Sequence, residues 1–148
     1  MKFLIGFPWG LTMANRSYNK QPVHDGAVHA AKLIYQEHGK FAWINPDGEK
    51  NKSWNGYYID VIAVDDPQAT SAYVTEIETE DSVNDAEASN QWKNYDEAYT
   101  QRWYLAVPTT SKADAEWLLQ KHRIVHCQVI TWAVDQYSRY TFWGLPGL

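Results

Sequence analysis

Two apolar runs in this chain carry carboxylates where a strand would ordinarily carry valine or isoleucine. The first reads Tyr57-Tyr58-Ile59-Asp60-Val61-Ile62-Ala63-Val64 and the second Ala72-Tyr73-Val74-Thr75-Glu76-Ile77-Glu78-Thr79. A strand turns successive side chains to opposite faces, so Glu76 and Glu78 point the same way. If the two runs pair, Asp60 joins them. Like charges among β-branched and aromatic neighbours repel, and burying them unpaired costs on the order of several kcal/mol. Such a cluster asks for a cation, and a hard divalent ion with oxygen ligands suits it. The plainer alternative makes Glu76, Glu78 and Glu80 the solvent face of an edge strand. It leaves Asp60 unexplained, flanked as it is by Ile59 and Val61 in a run apolar on both faces.

Around this pair of runs the chain alternates helical and extended patterns. From His24 to Gly39, Ala27, Ala30, Ala31, Ile34, Tyr35 and His38 recur at spacings of three and four, and Gly39 stands where a helix stops. Phe41–Ile44 reads as a short strand, and Asn45-Pro46-Asp47-Gly48 carries turn chemistry. An acidic turn, Thr79 to Asp85, suits a helix N-terminus. The helix that follows, Ala86 to about Tyr99, puts Ala88, Trp92, Tyr95 and Tyr99 on one stripe, with Gln91 and Tyr95 as surface neighbours. Arg102–Pro108 is a buried-type strand closed by proline. Ser111-Lys112-Ala113-Asp114 reads as a capping signal for a helix lined by Ala115, Leu118, Leu119 and His122. His126 to Val134 is a last long strand. The order helix, strand, strand, strand, helix, strand, helix, strand predicts an α/β (α+β) fold, a central mixed β-sheet flanked by helices.

The 148 residues make one domain the expectation: an N-terminal segment 1–22, a core 24–134 and an aromatic tail 135–148. Met1 to Leu11 is interrupted by Pro8 and two glycines, and reads as a mature segment, a strand or aromatic plug, not a secretion signal. No apolar run approaches the length of a membrane span. One cysteine, Cys127, excludes an intramolecular disulfide and multi-cysteine metal sites, which suits a reducing cytoplasm. His24, His29 and His38 lack partners at zinc-ligand spacing and read as surface or half-buried histidines. Eight Trp and ten Tyr serve either as core or as stacking faces for sugars or bases, with core the commoner fate.

Charge is uneven. Residues 1–58 hold seven Lys/Arg against four Asp/Glu, and residues 59–148 six against fourteen. The overall charge of −5 argues against a generic nucleic-acid binder, while the asymmetry permits a basic face. Asn15 to Pro22, with Arg16 and Lys20, is a surface loop or a phosphate-backbone contact.

Asp60 in an apolar strand, Glu76-Ile77-Glu78 in the next, and Gln91-x-x-x-Tyr95 on the helix after it together resemble the PD-(D/E)XK nuclease superfamily, the restriction-endonuclease-like fold. The Gln/Tyr helix is similar to that of RecB-like nucleases. The resemblance spans roughly His24 to Val134 in element order. It implies that Asp60 and Glu76 ligate Mg²⁺ (or Mn²⁺), with the backbone carbonyl of Ile77 as a third oxygen. The proline that usually precedes the aspartate is replaced by Ile59. Glu78 falls where most members have lysine, although a minority with glutamate there remain active. Lys93 is the candidate for a displaced ammonium, Gln91 and Tyr95 would orient the site or touch phosphate, and Asp25 of the first helix would assist, with Glu37 less favoured. The implied activity is phosphodiester hydrolysis of DNA, with a homodimer as one way for two sites to reach two strands. Two other classes stay open: a nuclease-fold module without catalysis that binds nucleic acid or a protein partner, and an aromatic-rich carbohydrate-binding protein.

Overall fold

The computed structural model describes residues 19–148 with their side chains, and before them only the backbone pairing of β1 (Lys2–Phe3) with β2 (Arg16–Ser17), which is antiparallel. The expectations for Met1–Leu11, and for the part of Asn15–Pro22 that precedes Asn19, otherwise lie outside the described residues.

Helix α1 runs from Lys20 to Glu37, starting four residues before the periodic pattern does. Pro22 sits in its first turn, where no intrahelical N–H bond is yet required, so the proline does not delay the start. Gln21, His24, Val28, Ala31 and Tyr35 are buried at alternating spacings of three and four, one continuous stripe. Gly39 at φ 76° ends the helix as its position predicts, with its N–H donated to the Gln36 carbonyl.

Six strands form one mixed sheet in the order β3 (Phe41–Ile44), β4 (Val61–Val64), β5 (Tyr73–Ile77), β6 (Trp103–Pro108), β7 (Cys127–Val134), β8 (Tyr140–Trp143). β3, β4 and β5 form an antiparallel meander. β5, β6 and β7 are parallel, and β8 returns antiparallel to β7. The parallel pairs need crossovers. The first is one helical run made of α2 (Asp85–Glu87), a single wider π-type turn (Ala88–Trp92) and α3 (Lys93–Ala98). The second is α4 (Lys112–Lys121).

The two faces of the sheet bury two clusters. Ile62, Val74, Leu105 and Val107 pack with Trp92, Tyr95, Leu118 and Leu119 on the α3/α4 side. Val61, Ala63, Ile77 and Ala106 pack with Ala27, Val28, Ala31 and Tyr35 of α1 on the other. Period-two alternation along each strand accounts for the division. Trp92, Trp103 and Trp132 are buried in these clusters and offer no face to a sugar.

Three expectations need correction. The strand drawn from Tyr57 begins only at Val61, because Asn55 and Gly56, both at positive φ, close a tight turn that bridges Trp54 to Tyr57. Ser111 makes no side-chain cap hydrogen bond to α4, whereas Asn84, unforeseen, accepts from the Glu87 N–H at 2.9 Å. The aromatic tail is not a tail throughout: Tyr140–Trp143 forms edge strand β8, alternating half-buried Tyr140 and Phe142 with exposed Thr141 and Trp143. No helix among the described residues is long and apolar enough to cross a membrane.

Candidate functional site

The antiparallel register pairs Val61 with Thr75, so Asp60, one residue ahead of β4, falls opposite Glu76. The two carboxylates meet through the main chain. The Asp60 N–H donates to Glu76 Oε1 at 3.2 Å, and the Ile77 N–H donates to Asp60 Oδ2 at 2.8 Å. Asp60 is 8% exposed, Glu76 3% and Glu78 fully buried, so the solvent-facing edge strand is not what this sequence builds. The register puts the acids at the end of the paired segment, where Asp60 can turn toward α1 while Glu76 reaches α3.

On the α3 side, the Tyr95 hydroxyl donates to Glu76 Oε2 at 3.3 Å. Burial first, and then the nearby charges of Glu76 and Asp60, with Tyr99 and Glu78 behind them, hold the Tyr95 phenol well above its ordinary range. Tyr95 therefore remains a donor to Glu76. That ring is packed edge-on by Tyr57 and Trp103, each with its centroid 5.5 Å away.

On the α1 side stands His24, which is 2% exposed and points Nε2 at Asp60 Oδ2 (3.0 Å) and Nδ1 at Asp25 Oδ1 (2.9 Å). Its burial corrects the expectation of a surface or half-buried histidine. Two carboxylate acceptors on one ring call for a proton at each nitrogen, or for a proton held by one of the carboxyls. Asp25 also accepts from Gln21 Nε2 (3.0 Å) and from the Asp47 N–H (3.2 Å). Asp47 itself, at φ 49°, has its carboxyl raised by burial and then by the charges of Asp25 and Glu49, with His24 opposing. The sequence did hold a signal for His24: it lies seven and four residues before Ala31 and Val28, on the buried stripe of α1.

The remaining predicted residues are distributed unevenly. Glu78 is fixed through its main chain, its N–H donated to Ala106 O at 2.9 Å and its carbonyl accepting from Trp132 Nε1 at 3.1 Å. Gln91 is buried on the π-type turn, and its Oε1 has no hydrogen-bond partner among the described residues. Gln91 and Trp92 fall three and four residues after Ala88 and four and three before Tyr95, on the buried stripe of this helical run. Lys93 is not brought to the acids: it is exposed, and its ammonium bonds the His122 carbonyl at 2.9 Å at the end of α4. Ile77 contributes its N–H, not its carbonyl, to Asp60.

The donor set, two carboxylates and an imidazole around one main-chain junction, suits a divalent ion in kind. As they stand these groups bond one another, and no three His, Cys, Asp or Glu side chains among the described residues converge as a ready ligand group. Binding an ion would exchange the His24 and Tyr95 hydrogen bonds to the carboxylates for metal–ligand bonds.

Asn45 ties this site to the loop beyond it. Its N–H donates to the Asp60 carbonyl (3.0 Å), its Nδ2 to the carbonyls of Ile59 (2.7 Å) and Lys52 (2.8 Å). Its Oδ1 accepts from the N–H groups of Asn51 (2.8 Å) and Lys52 (2.9 Å). Every polar atom of the amide is used, which explains a buried asparagine at this point. Compared with family models, with curated proteins and with solved structures, the chain matches none.

Proposed function

We propose that this protein is a divalent-metal-dependent phosphodiesterase acting on DNA, of the PD-(D/E)XK type with a restriction-endonuclease-like fold. The observation that carries the proposal is the meeting of Asp60 and Glu76 at the ends of adjacent strands, with His24 on one side and Tyr95 on the other. Asp60 and Glu76, with the Ile77 carbonyl, would hold Mg²⁺ or Mn²⁺, and His24 stands beside Asp60. Such an ion lowers the pKa of bound water and neutralises charge on the transferred phosphoryl group. The chain's own residues orient the carboxylates: the Ile77 N–H fixes Asp60, the Tyr95 hydroxyl fixes Glu76, and Asp25 sets the ring of His24. Gln91, with an unused buried oxygen, is suited to a donor on substrate or water.

The test is nicking of supercoiled plasmid and cleavage of labelled oligonucleotides in Mg²⁺ or Mn²⁺ by the wild type, Asp60→Ala and Glu76→Ala. Cleavage by the wild type that both variants lose supports the reading. Equal cleavage by all three marks a contaminant and removes it.

A second reading, the same fold without catalysis, is favoured by Glu78, a buried acid where a lysine would assist the attacking water, and by Lys93, which is held elsewhere. DNA binding by a wild type that cleaves nothing would select it.

A further inference from the structure

We infer that the loop between β3 and β4, together with the cleft at its tip, is a binding track for a single unpaired DNA strand. The inference rests on the DNA reading above and adds the form of the substrate.

The loop interleaves lysine with aromatic side chains. Lys52 Nζ lies over the Trp43 ring at 4.7 Å from its centroid, and Lys50 Nζ over the Tyr58 ring at 5.9 Å. Each pair keeps a cation beside a flat ring at the surface, the combination that holds a backbone phosphate while a base stacks. Ahead of Asp60 the acids of this loop are Asp47, whose N–H is donated to Asp25, and Glu49, which accepts from Asn51 Nδ2 at 3.1 Å. The loop is not loosely attached. Asn45 holds Lys52 by both its N–H and its carbonyl, and Asp60 by its carbonyl, so the lysine-bearing segment is fixed beside the acid cluster.

At the tip, Trp54 and Asn55 form one wall of an open cleft of about 230 Å³, with Ala72, Tyr99, Gln101 and Arg102 around it. The volume lies below the roughly 300 Å³ and more of pockets for drug-sized ligands, which suits one ring system, not a longer stretch of chain. Its lining offers a half-buried indole, amides and a guanidinium, with the buried Tyr99 behind them. The Tyr99 hydroxyl donates to the Trp54 carbonyl at 2.8 Å, and the Tyr99 ring lies 6.0 Å from that of Tyr95, the donor to Glu76. The cleft therefore joins the acid cluster through two packed tyrosines. A stacked duplex hides its base faces and could use the lysines only, whereas an unpaired strand can use both the lysines and the cleft.

The experiment is fluorescence anisotropy with labelled oligothymidine and with a duplex of equal length. It is run in EDTA and again in Ca²⁺, across a salt series, on the wild type, Lys50→Gln/Lys52→Gln, Trp54→Leu and Asp60→Ala. The inference expects the single strand to bind at least tenfold more tightly than the duplex. The double lysine variant should lose about tenfold at moderate salt, and its log–log salt slope should fall by about 1.4, for two phosphates on a single strand. Trp54→Leu should lose about 5- to 150-fold, the effect of one stacked base. Asp60→Ala should lose the affinity that Ca²⁺ adds over EDTA, the part of binding carried by the acid cluster and not by the loop. Equal affinity for duplex and single strand, or an unchanged salt slope in a lysine variant with wild-type circular dichroism, overturns the inference. Tight single-strand binding without cleavage leaves the inference standing and removes only the hydrolytic reading. Cleavage of duplex that is indifferent to the loop variants does the reverse.

Discussion

His24 Nε2 stands 3.0 Å from Asp60 Oδ2, across 36 residues of sequence, and the same carboxylate oxygen accepts the Ile77 N–H. One buried imidazole thus joins helix α1 to the junction of β4 and β5. The sequence asks for a cation beside these acids, and α1 supplies a ring able to carry one.

Replacing His24 with alanine removes that partner and leaves Asp60 and Asp25 facing a void. A loss of about 3 kcal/mol is expected, in the range for breaking a buried charged pair by deleting one member. His24→Asn, which keeps one donor, should lose less. Urea denaturation of both variants measures the difference, and a loss in His24→Ala below about 0.5 kcal/mol would show that the pairing contributes nothing to the fold.

Asn45→Ala orphans the carbonyls of Ile59 and Lys52 and the N–H groups of Asn51 and Lys52 in a largely buried setting. The expected loss is about 2–3 kcal/mol, since the loop can turn part of this set toward water. For a chain of this length that corresponds to a fall in Tm of roughly 4–12 °C. Differential scanning calorimetry reads it directly, and an unchanged Tm would mean that the loop holds itself without Asn45.

Alkaline pH should unfold the protein steeply. Tyr35, Tyr95 and Tyr99 all have phenols raised by burial, with further increments from Tyr104 on Tyr35 and from Glu76 on both Tyr95 and Tyr99. A raised phenol keeps its proton in the folded state while the unfolded chain loses its own near pH 10. Stability is therefore complete below pH 10 and falls above it, by about 1.4 kcal/mol per pH unit for each group. Phenolate absorbance and far-UV circular dichroism, followed together, should show these three tyrosines ionising only as the helix signal is lost. Ionisation of all ten tyrosines before any unfolding would contradict the burial of these rings.

Gly26→Ala sets two effects of opposite sign against each other within α1. Alanine favours a helix interior by about 1 kcal/mol. Its Cβ, however, would run into Tyr140 Oη and lie 2.7 Å from Cζ, and that hydroxyl donates to the Val23 carbonyl at 3.2 Å. Overpacking of this kind costs about 1–3 kcal/mol, so a net loss is expected. In a Tyr140→Ala background the same change should become neutral or stabilising, and a double-mutant cycle by denaturation checks the reversal.

What was legible in the sequence was whatever depends on spacing within one element. The acids interrupting apolar runs, the stripe of α1 and the crossover helices all follow from local periodicity. Contacts between elements were not legible in the same way. His24 looked isolated because its partner lies 36 residues on, and only the seating of α1 against the sheet joins them. Lys93 and Gln91 are two residues apart on one helical run, so ordinary helical spacing already sets them on different faces, and only Gln91 is buried. Strand β8 is hard to see in the sequence because aromatic density hides a plain in–out alternation from Tyr140 to Trp143.

The Tyr35 hydroxyl donates to the Pro146 carbonyl at 2.8 Å, so the helix that brings in His24 is fastened by a residue 111 positions later. Part of what seats α1 against the sheet, and His24 with it, is thus supplied from beyond β8, by a bond that no spacing within the helix announces.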